Sequence, residues 1–377
     1  MTWKIPLFNT DFDERELQAV ASVIKSGWLT MGEKTREFEQ RFAEFIGVRH
    51  AIAVSSCTAA LHLALLALGF GPGDEVICPS LTFVATANAI RYTAATPVFA
   101  DVSNFEDWNI SLESIKKVKT PRTKAILVVH YAGYPCDMPS ICEYAKKEGL
   151  KIIEDCAHAP GASIGNKKVG SWGDIGCFSF FSNKNISTGE GGMITTNNDK
   201  IAENIRLMRS HGMTTLTLDR HKGHAFSYDV IKLGYNYRIT EITAALGLVQ
   251  LDKLNDNNKK RKEIVKYYQS LLNKIDNISI PFGNHPEESA YHIMPILLPK
   301  EVNRYKLMSF LKQHGIQTSI HYRPIHTFSI YKSILHDDLP LTEEIGQRTI
   351  TLPLYPNLSK EQVEFIVQTL IEGLKRV

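Results

Sequence analysis

The chain reads as an α/β protein: a large, mostly parallel seven-stranded sheet followed by a smaller α+β unit. Three observations carry that reading. Short apolar runs recur at 51–54, 76–78, 97–100, 125–130, 152–155, 176–180 and 193–195. Helical patterns such as 59–68 and 83–92 lie between the first few, the rhythm of strands covered on both faces. After about residue 239 the pattern changes to shorter strand and helix units led by one long helix.

Taken in order, residues 15–25 carry Leu17, Val20, Val23 and Ile24 at helical spacing, and Ser26-Gly27 ends that helix. A second helix is predicted over 37–46, and the seven strands follow. Residues 240–272 read as one long helix with Ile242, Ala245, Leu248, Leu251 and Leu254 along a stripe. A strand at 293–298 and helices at 304–314 and 360–374 complete the smaller unit. The expected division is a large domain over 1–245, its N-terminal segment free to pack on its neighbour, and a small domain over 246–377. No internal repeat or low-complexity tract interrupts this plan.

A length of 377 residues is enough for two domains and a large core. The charge is nearly balanced, 43 Lys and Arg against 40 Asp and Glu, so no nucleic-acid partner is expected. The basic run Lys259-Lys260-Arg261-Lys262 reads as a solvated helix face. Cys57, Cys78, Cys136, Cys142, Cys156 and Cys177 form no C-x-x-C pair and read as reduced, mostly buried thiols of a cytoplasmic protein. The acidic residues Asp11, Asp13, Glu14 and Glu16 follow the N-terminus directly, unlike a signal peptide. The longest apolar stretch, 58–70, is broken by His62 and too short to span a bilayer, so no membrane partner is expected.

The chemistry concentrates on Lys184, which sits between the apolar run Cys177-Phe178-Ser179-Phe180-Phe181 and the glycines Gly189, Gly191 and Gly192. A lysine at the mouth of a core can lose its proton and form an imine with an aldehyde. About thirty residues upstream, Lys151-Ile152-Ile153-Glu154-Asp155 ends in a carboxylate. An amine anchor and a carboxylate partner for a ring nitrogen are what pyridoxal phosphate (PLP) requires of a protein. Asp155 alone would read as a strand-end carboxylate capping a turn.

Other segments gain meaning from that pair. Ser55-Ser56-Cys57-Thr58-Ala59-Ala60 joins a strand to a helix, where small residues let backbone amides approach a phosphate. An ordinary N-cap explains the same residues. Ser179 is placed to reach the phosphate, or to be a buried hydrogen-bonded serine. His158 could orient Asp155, line the ring, or be a packed core histidine. Phe83 could stack on a flat ring, although a lone Phe is more often core. Gly69-Phe70-Gly71-Pro72-Gly73-Asp74 precedes a strand and contains Pro, so it is a turn and not a dinucleotide loop. His321-Tyr322-Arg323-Pro324-Ile325-His326 lacks a matching Cys or carboxylate at metal spacing, and no metal site is expected.

Together these segments resemble the fold-type I PLP enzymes, and specifically the DegT/StrS family of sugar aminotransferases. The likeness covers nearly the whole chain. It runs through Ser26-Gly27-Trp28-Leu29-Thr30, the 55–63 turn, Gly71-Pro72-Gly73-Asp74, Glu154-Asp155-Cys156-Ala157-His158-Ala159, 178–192, Gly234-Tyr235-Asn236-Tyr237-Arg238 and His321-Tyr322-Arg323-Pro324. The resemblance implies that Lys184 is the cofactor-anchoring lysine and proton shuttle, and Asp155 the ring-nitrogen partner. It implies that Ser179, Thr58 and the backbone from Cys57 to Ala59 cradle the phosphate, that Phe83 stacks on the ring, and that His158 lies near the ring oxygen. Asn236, with Arg238 close by, is implied to reach the phosphate site of a neighbouring subunit, so a homodimer with shared active sites is expected. Trp28, Thr30, His321 and Tyr322 are implied to shape the substrate pocket. Cys57 departs from the Gly often found at its position.

Related dehydratases carry His where this chain has Lys184, so the resemblance favours amino transfer, with L-glutamate as donor. Gly234-Tyr235-Asn236-Tyr237-Arg238 resembles enzymes that aminate C4 of a nucleotide-linked keto sugar; relatives acting at C3 more often have Ser after the Asn. The alternatives are a keto group on a free sugar, a cyclitol or an ulosonic acid, and a non-catalytic PLP-binding regulator. No residues remain here for the DNA-reading module such a regulator would carry.

Overall fold

The structure, a computed structural model, describes residues 3–215, 227–334 and 336–376. The seven expected apolar runs all form strands of one sheet: β1 (His50–Val54), β2 (Glu75–Pro79), β3 (Thr96–Ala100), β4 (Thr123–Val129), β5 (Lys151–Asp155), β8 (Ile175–Ser179) and β9 (Gly192–Thr196). Between β5 and β8 lies a two-residue ribbon of β6 (Ser163–Ile164) and β7 (Lys167–Lys168). The sheet order is β1-β9-β8-β5-β4-β2-β3. Strand β9 runs antiparallel to both neighbours, and the remaining pairs are parallel.

Alternation along each strand sends side chains to opposite faces, and both faces are covered. Ile52 and Val54 point with Leu127 and Cys177 toward α3 (Cys57–Ala67), α4 (Ala85–Tyr92) and α7 (Asp199–Arg209). On the other face, Ala51, Ala53, Phe178 and Met193 pack on Phe38 and Phe42 of α2 (Glu33–Ile46). Ile126, Val128 and Ile152 of that face pack on Ile115 of α5 (Leu112–Val118) and on Met138 and Ile141 of α6 (Met138–Glu148).

Two helix starts differ from expectation, each for a reason outside the local pattern. Helix α2 begins at Glu33 rather than residue 37 because the buried Glu241 carboxylate takes the N–H groups of Gly32 (2.8 Å), Lys34 (2.8 Å) and Thr35 (2.9 Å). A distant acid thus supplies the acceptors that a helix N-terminus lacks. Helix α4 begins at Ala85, which leaves Phe83 outside the helix and exposed. At the N-terminus, α1 (Glu14–Ser26) has the expected reach, with an Asp13/Glu16 capping box and Gly27 at φ 73° closing it.

The long helix α8 (Glu241–Leu272) joins the two hydrophobic regions. Its Ala244, Leu248, Leu251 and Leu254 belong to the core beside the large sheet, and its Val265, Tyr268 and Leu272 to the second core. The helix therefore runs through the expected boundary at 245/246 without a break. The second core is built on an antiparallel pair, β10 (Met294–Leu297) and β11 (Thr349–Leu352), with α9 (Arg304–Gln313) and α11 (Lys360–Leu374). Helix α10 (Pro340–Arg348) leads into β11, a strand the sequence pattern did not mark. Ile5 joins this core and bridges to Ile316, so the N-terminal segment does pack on the smaller unit. Among the described residues, no helix is long and apolar enough to cross a membrane.

Candidate active site

The carboxyl ends of parallel strands open onto one side of the sheet, where ligands of open α/β folds bind. There a cavity of about 360 Å³ is lined by Ser56, Cys57 and Thr58 at the start of α3 and by Thr82 and Phe83 after β2. Asp155, Ala157 and His158 follow from β5, Ser179 and Lys184 from β8, and His321 and Tyr322 from the loop before α10. Tertiary structure therefore gathers nine of the residues singled out in the sequence: Cys57, Thr58, Phe83, Asp155, His158, Ser179, Lys184, His321 and Tyr322. Ala59 is not among the lining residues; its N–H donates to Ser56 Oγ at 3.1 Å as part of the N-cap. Trp28, Thr30, Asn236 and Arg238 do not line this cavity either. Thr30 bridges to Thr240, and Asn236 is exposed and bridges to Ser210.

Burial sets the charge of the site. Lys184 is lowered from its ordinary value to about 8 by burial, against the opposing pull of Asp155 and Cys57. Asp155 is raised by burial, offset in part by the Ala157 N–H (3.1 Å), the Thr86 hydroxyl (3.0 Å) and Lys184. Those two donors orient Asp155, not His158, which makes different contacts. The Ala132 N–H donates to His158 Nδ1 (3.3 Å), so the other ring nitrogen carries the proton and donates to Tyr322 Oη at 2.8 Å. Tyr322 then has its own O–H to offer the cavity, and burial keeps it protonated by raising its pKa. His158 is pushed well below the usual imidazole value, and His321 down to about 4, first by burial and then by Lys184.

Three contributors escaped the sequence reading. Thr86 lies on α4, reached only because the chain folds it under Asp155. His292 places Nε2 3.5 Å from Lys184 Nζ, and Asn185 holds the other side of that ring. A histidine more than a hundred residues downstream gives no local signal. Another buried group, His130, Glu154 and Cys156, has its ligand atoms within 4.8 Å of one another. Its polar atoms are engaged internally: Glu154 accepts the N–H groups of Gly170, Trp172 and Gly173, each at 2.8 Å, and His130 (3.1 Å). That carboxylate fastens the 170–173 turn to β5.

The residues present fit PLP. An anion has the N-terminus of α3, with Thr58 and Ser179 beside it, and the turn there is approached by bare backbone at Gly192. A Cβ on Gly192 would lie 2.6 Å from Ser56 C and 2.7 Å from Cys57 N, so only glycine permits that closeness. A buried amine and a strand-end carboxylate complete the set.

Comparison with known proteins agrees with this geometry. Residues 10–371 match the DegT/DnrJ/EryC1/StrS aminotransferase family. The chain is 40% identical over 373 residues to GDP-perosamine synthase of Escherichia coli O157:H7, covering 98% of each. It superposes on Helicobacter pylori PseC, an aminotransferase involved in pseudoaminic acid biosynthesis, with TM-score 0.93 and 32% identity, over 99% of this chain and 100% of that one. It likewise matches the PLP form of Spr1654 from Streptococcus pneumoniae, with TM-score 0.91 and 29% identity over 99% of each chain. A fold-type I sheet, a cavity lined by Lys184 and Asp155, and a match along nearly the full length place the chain in the DegT/DnrJ/EryC1/StrS family, as a PLP-dependent sugar aminotransferase.

Proposed function

We propose that the enzyme moves an amino group from an amino acid, L-glutamate by family resemblance, to C4 of a nucleotide-linked 4-keto-6-deoxy hexose. One observation carries the assignment of roles: a buried lysine lowered to about 8 shares one cavity with a buried strand-end carboxylate and a helix N-terminus. Likeness to a protein named GDP-perosamine synthase supports a nucleotide-linked acceptor. Bound PLP supplies the electron sink that makes the donor's Cα proton removable.

The chain's own groups do the rest. With PLP bound, Lys184 Nζ would hold its aldehyde carbon and, once free, would take up the donor's Cα proton, which the second half-reaction returns. Its depressed basicity suits both tasks, because an amine near its midpoint can give and take a proton at working pH. Asp155, held by Thr86 and Ala157, would keep the ring nitrogen cationic. Thr58, Ser179 and the Cys57–Ala59 backbone would take the phosphate, and Phe83 and His158 would hold the ring. His321 and Tyr322, with Trp28 and Thr30, shape the sugar pocket.

The homodimer belongs to the same proposal. Asn236, exposed, and Arg238 are assigned to the partner's phosphate site. Ile231 and Leu233, 56% and 83% exposed a few residues before them, form an apolar face suited to burial between two copies. The six free cysteines fit a cytoplasmic setting.

The test is purified, PLP-loaded protein with glutamate and a panel of acceptors, followed by 2-oxoglutarate formation. Nucleotide-linked 4-keto hexoses should turn over fastest. Turnover confined to 3-keto sugars, free sugars, cyclitols or ulosonic acids would replace the C4 assignment.

A further inference from the structure

Lys184 Nζ lies 3.5 Å from His292 Nε2, and the proton positions around that contact follow from neighbours whose roles are not in doubt. A carbonyl oxygen only accepts. Asn258 must therefore turn its amide nitrogen to Pro160 O (3.0 Å), which leaves its Oδ1 as the acceptor facing Asn185. Asn185 in turn spends both N–H bonds of its amide, on Asn258 Oδ1 (2.8 Å) and on Ala290 O (2.7 Å). The atom it presents to His292 Nδ1 at 2.8 Å is thus its oxygen, and Nδ1 must carry the proton. In a neutral imidazole the other nitrogen is then an acceptor. That nitrogen is the one aimed at Lys184.

The surroundings keep the ring neutral. His292 is 3% exposed, and burial first, then Lys184, His158, Arg261 and His321, hold its pKa well below the usual value. Arg261 Nη1 donates to the His292 carbonyl at 3.2 Å, which places a fixed cation beside the ring. His158, its ring centroid 4.5 Å away, has its own N–H turned to Tyr322 and does not compete for the amine. Around Lys184 itself the facing ionisable groups are Asp155, Cys57, His158, His292 and His321.

We propose that His292 is a positioning residue for amino transfer: its Nε2 accepts a hydrogen bond from Lys184 Nζ whenever that amine is free of the cofactor. The chain of amides behind it reaches from the loop after β5 through α8 to the segment entering β10, so the acceptor is fixed by three separate parts of the fold. A free lysine has four rotatable bonds and a compact charge. With one N–H tied to His292, the nitrogen stays at one wall of the cavity, and its lone pair or proton stays directed toward the reacting carbon. The role rests on Lys184 being the cofactor anchor.

The experiment reads Lys184 in the cofactor-free protein. Acetylation by acetic anhydride across a pH series, followed by peptide mass mapping, gives the amine's titration. In His292→Phe the ammonium loses its acceptor, and the midpoint should fall by roughly one unit. His292→Gln, which returns an acceptor oxygen, should recover most of that shift. Asn185→Leu keeps His292 but frees its tautomer, and should move the midpoint in the same direction; this variant carries the test if His292→Phe does not fold. In loaded enzyme, His292→Phe should lower kcat roughly tenfold with KM little changed, since orientation and not binding is lost. A Lys184 midpoint equal to wild type in folded His292→Phe overturns the proposal, as does an unshifted midpoint in Asn185→Leu. Borohydride reduction of the wild-type holoenzyme separates the two levels. A missing adduct on the Lys184 peptide removes the anchor itself, whereas an adduct with an unshifted midpoint removes only the role of His292.

Discussion

At the scale of single residues, Lys184 and Asp155 divide the work by their environments. Burial depresses the amine and raises the acid, so each moves toward neutrality. Lys184→Ala should lose the visible absorbance of the bound cofactor and drop turnover by roughly a thousandfold or more, as removal of a covalent group does. A coloured, active Lys184→Ala enzyme would refute the assignment. Asp155→Asn keeps the size of the side chain but cannot hold the ring nitrogen cationic. It should retain Lys184-bound cofactor, read by absorbance, while kcat falls on the order of a hundredfold or more; normal turnover would remove Asp155 from its role. The pH dependence follows from sign alone. An amine lowered to about 8 is protonated below that value and free above it, so acetylation of Lys184 in the cofactor-free protein should be half-maximal near pH 8. An ordinary exposed lysine, at the usual 10.5, would still be protonated there.

At the scale of elements, the proposed phosphate cradle depends on contact between β9 and the turn before α3. Gly192 opens β9, pairs with Val54 of β1 and Ser179 of β8, and lets the Ser56-Cys57 backbone sit against it. Gly192→Ala would place a methyl group within 2.6–2.7 Å of backbone atoms that have no freedom to rotate away. The turn must shift, and the amides aimed at the phosphate shift with it. The expected outcome is PLP affinity reduced by roughly tenfold or more, measured by equilibrium titration, with the far-ultraviolet dichroism preserved. Unchanged affinity would mean the cradle tolerates displacement. The Glu241 contact to α2 shows the same dependence of one element on another: the first residue of α8 caps a helix more than two hundred positions upstream.

At the scale of the whole molecule, one chain brings Lys184, Asp155, Thr58 and Ser179 into one cavity, whereas Asn236 and Arg238 lie outside it. If these two complete the partner's site, Lys184→Ala and Asn236→Ala should complement each other. Each variant alone should be nearly inactive, but a co-expressed heterodimer holds one site with both defects and one with neither. Purified heterodimer should therefore show about half the wild-type activity per dimer. An inactive heterodimer, or a monomer by light scattering, would end the shared-site reading.

Periodicity along the chain sufficed for much of this protein. All seven strands, α1, α8, α9 and α11 were legible because their apolar spacing is local and strongly written. That Lys184, Asp155, Ser179 and Thr58 share one cavity was legible because each lies near a strand end or helix start, on the side of the sheet where such segments converge. Folding alone decided the rest. The start of α2 depends on Glu241, the orientation of Asp155 on Thr86, and the proton on His292 on Asn185, Asn258 and two carbonyls. Such features are hydrogen-bond partnerships between residues far apart in sequence. Each partner looks like an ordinary polar side chain until burial removes water and leaves only one acceptor within reach.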